Sequence, residues 1–170
     1  MNLNLDDFKR FEKQIILKKI GFAGQNKIKK AKILIIGMGG IAYTYDEKLS
    51  SKFCYSHYRA FKNNKFFKVI GCVENNTSRK NYLKNKTNIQ VYKSINLVPK
   101  ILKIDIVVIS TPTKNHLTSV KQCIKQIKPK VILCEKPMAN KVTEAKKIVS
   151  LCKQNKIQLF VNYLKISDPG

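Results

Sequence analysis

A doubly wound α/β fold on a parallel sheet follows from three observations on the sequence. From residue 32 onward, short β-branched runs alternate with polar stretches of helical period. The first run, Lys32-Ile-Leu-Ile-Ile36, passes directly into Gly37-Met-Gly39-Gly40-Ile-Ala42, a strand feeding a glycine turn. The runs at 104–109 and 131–133 lack polar alternation apart from Asp105, as strands covered on both faces do.

Each element has its own signal. Phe8, Phe11 and Ile15 recur at i, i+3 and i+7 behind Asp6, so residues 1–30 form a helical extension that opens on a capped amphipathic helix. Strands are expected at 32–37, 67–74, 90–93, 105–111, 131–135 and 157–163, and helices at 55–63, 77–86, 114–127 and 143–154. One Rossmann-like domain thus spans 31–163, leaving a short stub at 164–170. The stretch 43–54, with Asp46, Glu47 and two serines, separates the glycine turn from the next helix. It reads either as an inserted loop or irregular helix beside the ligand edge of the sheet, or as a plain surface excursion.

Composition narrows the class. At 170 residues the chain supports one core, and no apolar run approaches the roughly 20 residues that span a bilayer. The polar start lacks a signal-peptide pattern, so a soluble cytoplasmic protein is expected. The net charge of +24 suggests nucleic acid, but Arg10, Arg59 and Arg79 are the only arginines among 34 basic residues, and the lysines are spread over nearly every predicted helix and loop. A solvated basic surface that attracts anions in general is expected, rather than a specific nucleic-acid site or a membrane surface. Cys54, Cys72, Cys123, Cys134 and Cys152 show no C-x-x-C spacing and read as reduced thiols, not metal ligands.

The glycine turn carries the first chemistry. Gly37 permits a tight turn, Gly39 lets backbone approach a pyrophosphate, and Ala42 lets the next element pack on the strand, with Gly40 between them. Glu74 ends the second strand, where a carboxylate accepts hydrogen bonds from ribose hydroxyls and repels a 2′-phosphate, favouring NAD over NADP. Arg79 follows closely and could instead pair with a 2′-phosphate, which leaves NADP open. The fourth strand ends in Ser110-Thr111-Pro112-Thr113 with His116 beyond, and the fifth in Cys134-Glu135-Lys136-Pro137. Both lie at the carboxyl ends of parallel strands, where open α/β sheets bind ligands.

Thr111-Pro112-x-x-x-His116 and Glu135-Lys136-Pro137 behind a glycine-rich strand resemble the amino-terminal domain of the glucose-fructose oxidoreductase, inositol dehydrogenase and MocA (Gfo/Idh/MocA) family. Val161-Asn162-Tyr163 through Asp168-Pro169 is similar to that family's exit from the domain, so the resemblance covers about 33–170. It implies an NAD(P)-dependent oxidoreductase acting on a sugar, cyclitol or nucleotide sugar. It further implies Lys136 as the catalytic lysine that polarises a carbonyl or shares in proton transfer, with Glu135 orienting it. Thr111 and Pro112 would lie against the cofactor, and His116 reads as a helix-start packing residue before a catalytic one. The family's second domain, with its usual catalytic histidine and aspartate, has no counterpart here. The expectation is therefore a nucleotide-binding half with little or no dehydrogenase activity alone, and nothing opposes an oligomer or pairing with a separate substrate domain.

A second resemblance lies at the other end. Arg10-Phe-Glu-Lys-Gln14, Gly21, Gly24-Gln25 and Ala31 through Gly40 resemble the start of ThiF-type, ubiquitin-activating-like adenylyltransferases. It stops near Gly40, with no zinc pairs or catalytic cysteine context beyond, so an ATP-binding adenylyltransferase fragment ranks below two other readings. These are the oxidoreductase domain and a non-catalytic nucleotide-binding or interaction remnant.

Overall fold

The computed structural model describes residues 31–47 and 54–163; the expected extension at 1–30 and stub at 164–170 lie outside the described residues. A compact unit runs over Lys30–Asn162. Its strands are β1 (Ala31–Ile36), β2 (Phe67–Val73), β3 (Gln90–Tyr92), β4 (Ile106–Ile109), β5 (Val131–Glu135) and β6 (Gln158–Asn162). They form one parallel sheet in the order β3-β2-β1-β4-β5-β6. This is the doubly wound Rossmann order, with β1 and β4 astride the point where the winding reverses.

The apolar run of β1 explains its central place. Side chains alternate across a strand, so Ile33 and Ile35 enter one core with Tyr58, Phe61, Leu83 and Val91, while Leu34 and Ile36 enter the other with Val120, Cys123, Ile148 and Cys152. The first core lies under α1 (His57–Lys62) and α2 (Thr77–Lys86), the second under α3 (His116–Gln126) and α4 (Val142–Gln154). Ile33, Leu34 and Ile35 are wholly buried, each contributing about 1.5–3 kcal/mol of transfer free energy.

Boundaries differ from the sequence reading by a residue or two. Helix α1 begins at His57 rather than 55, because Ser56 stays extended and its hydroxyl accepts the Arg59 N–H at 3.3 Å. Asn76 caps α2 in the same way, accepting the Arg79 N–H at 2.9 Å. Between β3 and β4 two 3-10 turns, Ile95–Leu97 and Lys100–Leu102, replace a crossover helix, and buried Ile95 and Val98 anchor them. Among the described residues no helix is long and apolar enough to cross a membrane.

Candidate functional site

The carboxyl ends of β1 and β4 meet at Gly37. Its φ is +82°, and a Cβ there would lie 2.9 Å from both Ser110 O and Thr111 N, so only glycine fits this turn. The Ser110 hydroxyl donates to Gly37 O at 3.1 Å and ties the two loops together. Met38 is buried, and its N–H donates to Glu74 Oε2 at 3.2 Å.

Beyond Met38 the backbone is one-sided. The carbonyls of Gly39 and Gly40 accept from Tyr43, Thr44 and Tyr45, and those of Ile41 and Ala42 accept from His57 and Tyr58 at 3.0 and 2.9 Å. The N–H groups of Gly39, Gly40, Ile41 and Ala42 find no acceptor among the described residues. Paired carbonyls beside unpaired N–H groups make a concavity that favours an anion. A Cβ on Gly39 would meet only Arg79 Nη1, at 3.8 Å, so that side of the turn is open.

The glycine turn does not run straight into an α-helix, in line with the expected separation of the two by the stretch 43–54. The chain enters a 3-10 turn at Thr44–Asp46, and α1 starts only at His57. The first N–H groups of α1, which lack intrahelical acceptors, are satisfied by Ile41 and Ala42, so the helix docks end-on against the turn. Asp46 closes the base of the excursion. Its carboxylate accepts the N–H groups of Tyr55 and Ser56 and the Ser56 hydroxyl at 2.6–3.2 Å, with Arg59 at 3.6 Å. Burial pushes its pKa up, but the Ser56 and Tyr55 hydrogen bonds and Arg59 outweigh this and hold it below the usual carboxylate range.

Glu74 is buried and fastened from two sides: Oε2 takes the Met38 N–H, and Oε1 the Asn76 N–H at 3.0 Å. It braces the glycine turn against the start of α2, with lone pairs left for a further donor. Arg79 Nη1 lies 4.0 Å from Glu74 Oε2 and is half exposed, so the two groups weighed for ribose and 2′-phosphate stand side by side.

At the ends of β4 and β5 the residues fall into two sets. His116 is buried, with Nε2 2.8 Å from Thr111 O and Nδ1 3.1 Å from Met138 O and 3.4 Å from Cys134 Sγ, tying the two loops together. Burial pushes the Cys134 thiol pKa up to about 12, so the thiol stays protonated beside the ring. Thr111 Oγ1 is buried with no partner among the described residues, an orphaned donor and acceptor beside Pro112 and the Gly37 turn. Glu135 receives His57 Nε2 at 2.6 Å and Asn162 Nδ2 at 2.5 Å on Oε1, and the Lys136 N–H at 3.3 Å on Oε2. It thus holds the backbone of Lys136. The Lys136 side chain is exposed, and its ammonium has no partner among the described residues.

His57 and Asn162 went unassigned by sequence reasoning. The available signal was that His57 is one of only two histidines and follows a capping serine.

The family model described as oxidoreductase family, NAD-binding Rossmann fold, matches residues 31–163. The chain belongs to the Gfo/Idh/MocA family. Solved structures share its fold. An oxidoreductase from Agrobacterium radiobacter in complex with NAD+, L-tartaric acid and magnesium superposes with a TM-score of 0.62 at 21% identity, covering 78% of this chain and 35% of that one. The WlbA dehydrogenase from Chromobacterium violaceum in complex with NADH and UDP-GlcNAcA gives 0.59 at 20% identity, covering 78% and 35%. This Gfo/Idh/MocA chain therefore spans about a third of the length of these neighbours. Short stretches are also similar to adenylyltransferases: 51% over 39 residues to adenylyltransferase and sulfurtransferase MOCS3 of Anopheles gambiae, covering 23% of this chain and 9% of that protein. The molybdopterin-synthase adenylyltransferase of Haemophilus influenzae is 37% identical over 51 residues, covering 30% and 21%.

Proposed function

We propose that this domain binds NAD(H) with its pyrophosphate over the turn Gly37–Ala42, as the nucleotide-binding half of an oxidoreductase for a sugar, cyclitol or nucleotide sugar. The observation that carries the reading is the polarity of the turn, whose carbonyls are consumed and whose Gly39, Gly40, Ile41 and Ala42 N–H groups remain to donate. Gly37 brings this turn against the β4 loop, and the orphaned Thr111 Oγ1 beside Pro112 supplies a further polar contact for a bound nucleotide. Glu74 accepts from the adenosine ribose, with Arg79 setting how well a 2′-phosphate is tolerated. Bound there, a nicotinamide ring supplies hydride exchange with a substrate carbon. Lys136, with its unpaired ammonium at the end of β5, holds or shares the proton of the substrate oxygen, and Glu135 and His116 fix the loops around it. A substrate wall contributed by a separate domain completes the cleft.

Calorimetry on the 170-residue protein tests this, with NAD, NADP and ATP as titrants. NAD is expected to bind more tightly than ATP, and Glu74→Ala to weaken NAD more than NADP. Equal or tighter binding of ATP overturns the reading in favour of an adenylyltransferase-like site.

A further inference from the structure

We infer that Tyr45 is an additional ligand of the same turn, its phenol hydroxyl donating a hydrogen bond to the diphosphate bridge of the bound dinucleotide. This rests on the nucleotide reading above and adds a residue from outside the glycine motif, on the excursion that follows it.

The placement of Tyr45 is specific. Its N–H donates to Gly40 O at 3.1 Å, folding the 3-10 turn back onto the glycine turn. A Cβ built on Gly40 would lie 2.5 Å from Tyr45 Cε1, 2.7 Å from Cζ and 3.0 Å from Oη. The hydroxyl edge of the ring, rather than its stem, therefore rests on Gly40. A side chain at residue 40 would push the ring off this position. The hydroxyl has no hydrogen-bond partner among the described residues, and neither do the adjacent N–H groups of Gly39, Gly40 and Ile41. A donor with no acceptor thus stands beside a row of donors with no acceptor, which is the arrangement an anion completes.

The ring is 57% exposed, so burial of apolar surface alone does not hold it there. Its neighbours in the chain hold the backbone that carries it. Asp46 is locked to Tyr55 and Ser56, and Glu47 Oε1 accepts the Tyr82 hydroxyl from α2 at 2.6 Å. With both following residues anchored, much of the backbone entropy of ordering Tyr45 is lost before a ligand arrives, which favours affinity.

The test compares wild type, Tyr45→Phe and Tyr45→Ala by calorimetry with NAD and with ADP-ribose, which keeps the diphosphate and lacks the nicotinamide. Thermal midpoints monitor folding. The phenylalanine variant keeps the ring on Gly40 and loses only the donor, so both ligands should bind about tenfold more weakly to it, the effect of one hydrogen bond to a charged acceptor. Gly40→Ala should produce a similar loss, and adding Tyr45→Phe to it should cost nothing more. If Tyr45→Phe binds both ligands as wild type does, the inference is overturned while the nucleotide site stands. That includes the case in which only Tyr45→Ala is weak, because the ring would then act by packing. If wild type binds neither ligand, the nucleotide reading itself fails and this inference falls with it.

Discussion

His57 Nε2 stands 2.6 Å from Glu135 Oε1, with both side chains about nine-tenths buried, so helix α1 is joined directly to the carboxyl end of β5. Burial pushes the Glu135 carboxyl up, but hydrogen bonds from His57 and Asn162, the charge of His57 and the Lys136 N–H outweigh it and lower its pKa. A carboxyl lowered on folding contributes stability that is present above its unfolded value, roughly 4.3, and is lost as pH falls through the folded value. Glu135→Gln should therefore cost about 1–3 kcal/mol at pH 7 and flatten the loss of stability below about pH 4. Urea unfolding across a pH series measures both, and a double-mutant cycle with His57→Ala should give a coupling of about 1 kcal/mol or more. Additive single effects would show that the pair carries no interaction.

Gly37→Ala should destabilise the fold by about 2–4 kcal/mol, combining a left-handed backbone with a Cβ pressed onto the Ser110 carbonyl and Thr111 nitrogen. Backbone atoms cannot swing aside as a side chain would. Denaturant midpoints report the loss; Gly39→Ala, which meets only the end of Arg79 at 3.8 Å, should leave stability within about 0.5–1 kcal/mol and act on nucleotide affinity.

Asp105 stands at the other end of the sheet, just before β4, and accepts the Lys32 N–H at 3.0 Å and Lys130 Nζ at 2.7 Å. Burial pushes its pKa up, while the Lys130 hydrogen bond, the Lys32 N–H and the charges of both lysines lower it by more. Its contribution is thus present above about pH 4 and disappears in acid. Lys130 is largely exposed and screened, so Asp105→Asn should cost only about 1 kcal/mol at pH 7, without altering nucleotide binding. A large drop in affinity would show that this end of the sheet is coupled to the turn.

Cys54 is exposed, whereas Cys72, Cys123, Cys134 and Cys152 are buried with thiol pKa values raised, Cys72 to about 12. Because the thiolate is the reactive form, native protein should alkylate at one site at pH 8, and all five cysteines should react after unfolding. Mass spectrometry of iodoacetamide adducts counts them. Cys54→Ser should leave almost no fast-reacting thiol.

The sequence by itself determined the strands and the turns they feed, because those signals are local. The run from residue 32 to 36, the left-handed glycine after it, the acid closing β2 and the Glu135-Lys136-Pro137 exit of β5 were legible from a few adjacent residues each. Tertiary structure alone decided which of those ends touch. His57 and Glu135 are 78 residues apart, and Asn162 lies a further 27 beyond Glu135; no hydropathy period spans such distances. The sheet order brings them together, by seating β4 beside β1 and β5 outside it. Gly40 reads as one more glycine of a phosphate turn, and only the folded 3-10 turn rests Tyr45, five residues on, against it. Glu74, legible as an acid at a strand end, proved to brace Met38 and Asn76 through contacts that only the folded turn creates. Periodicity dictates which face a residue takes; chain reversal and sheet winding dictate what it meets there.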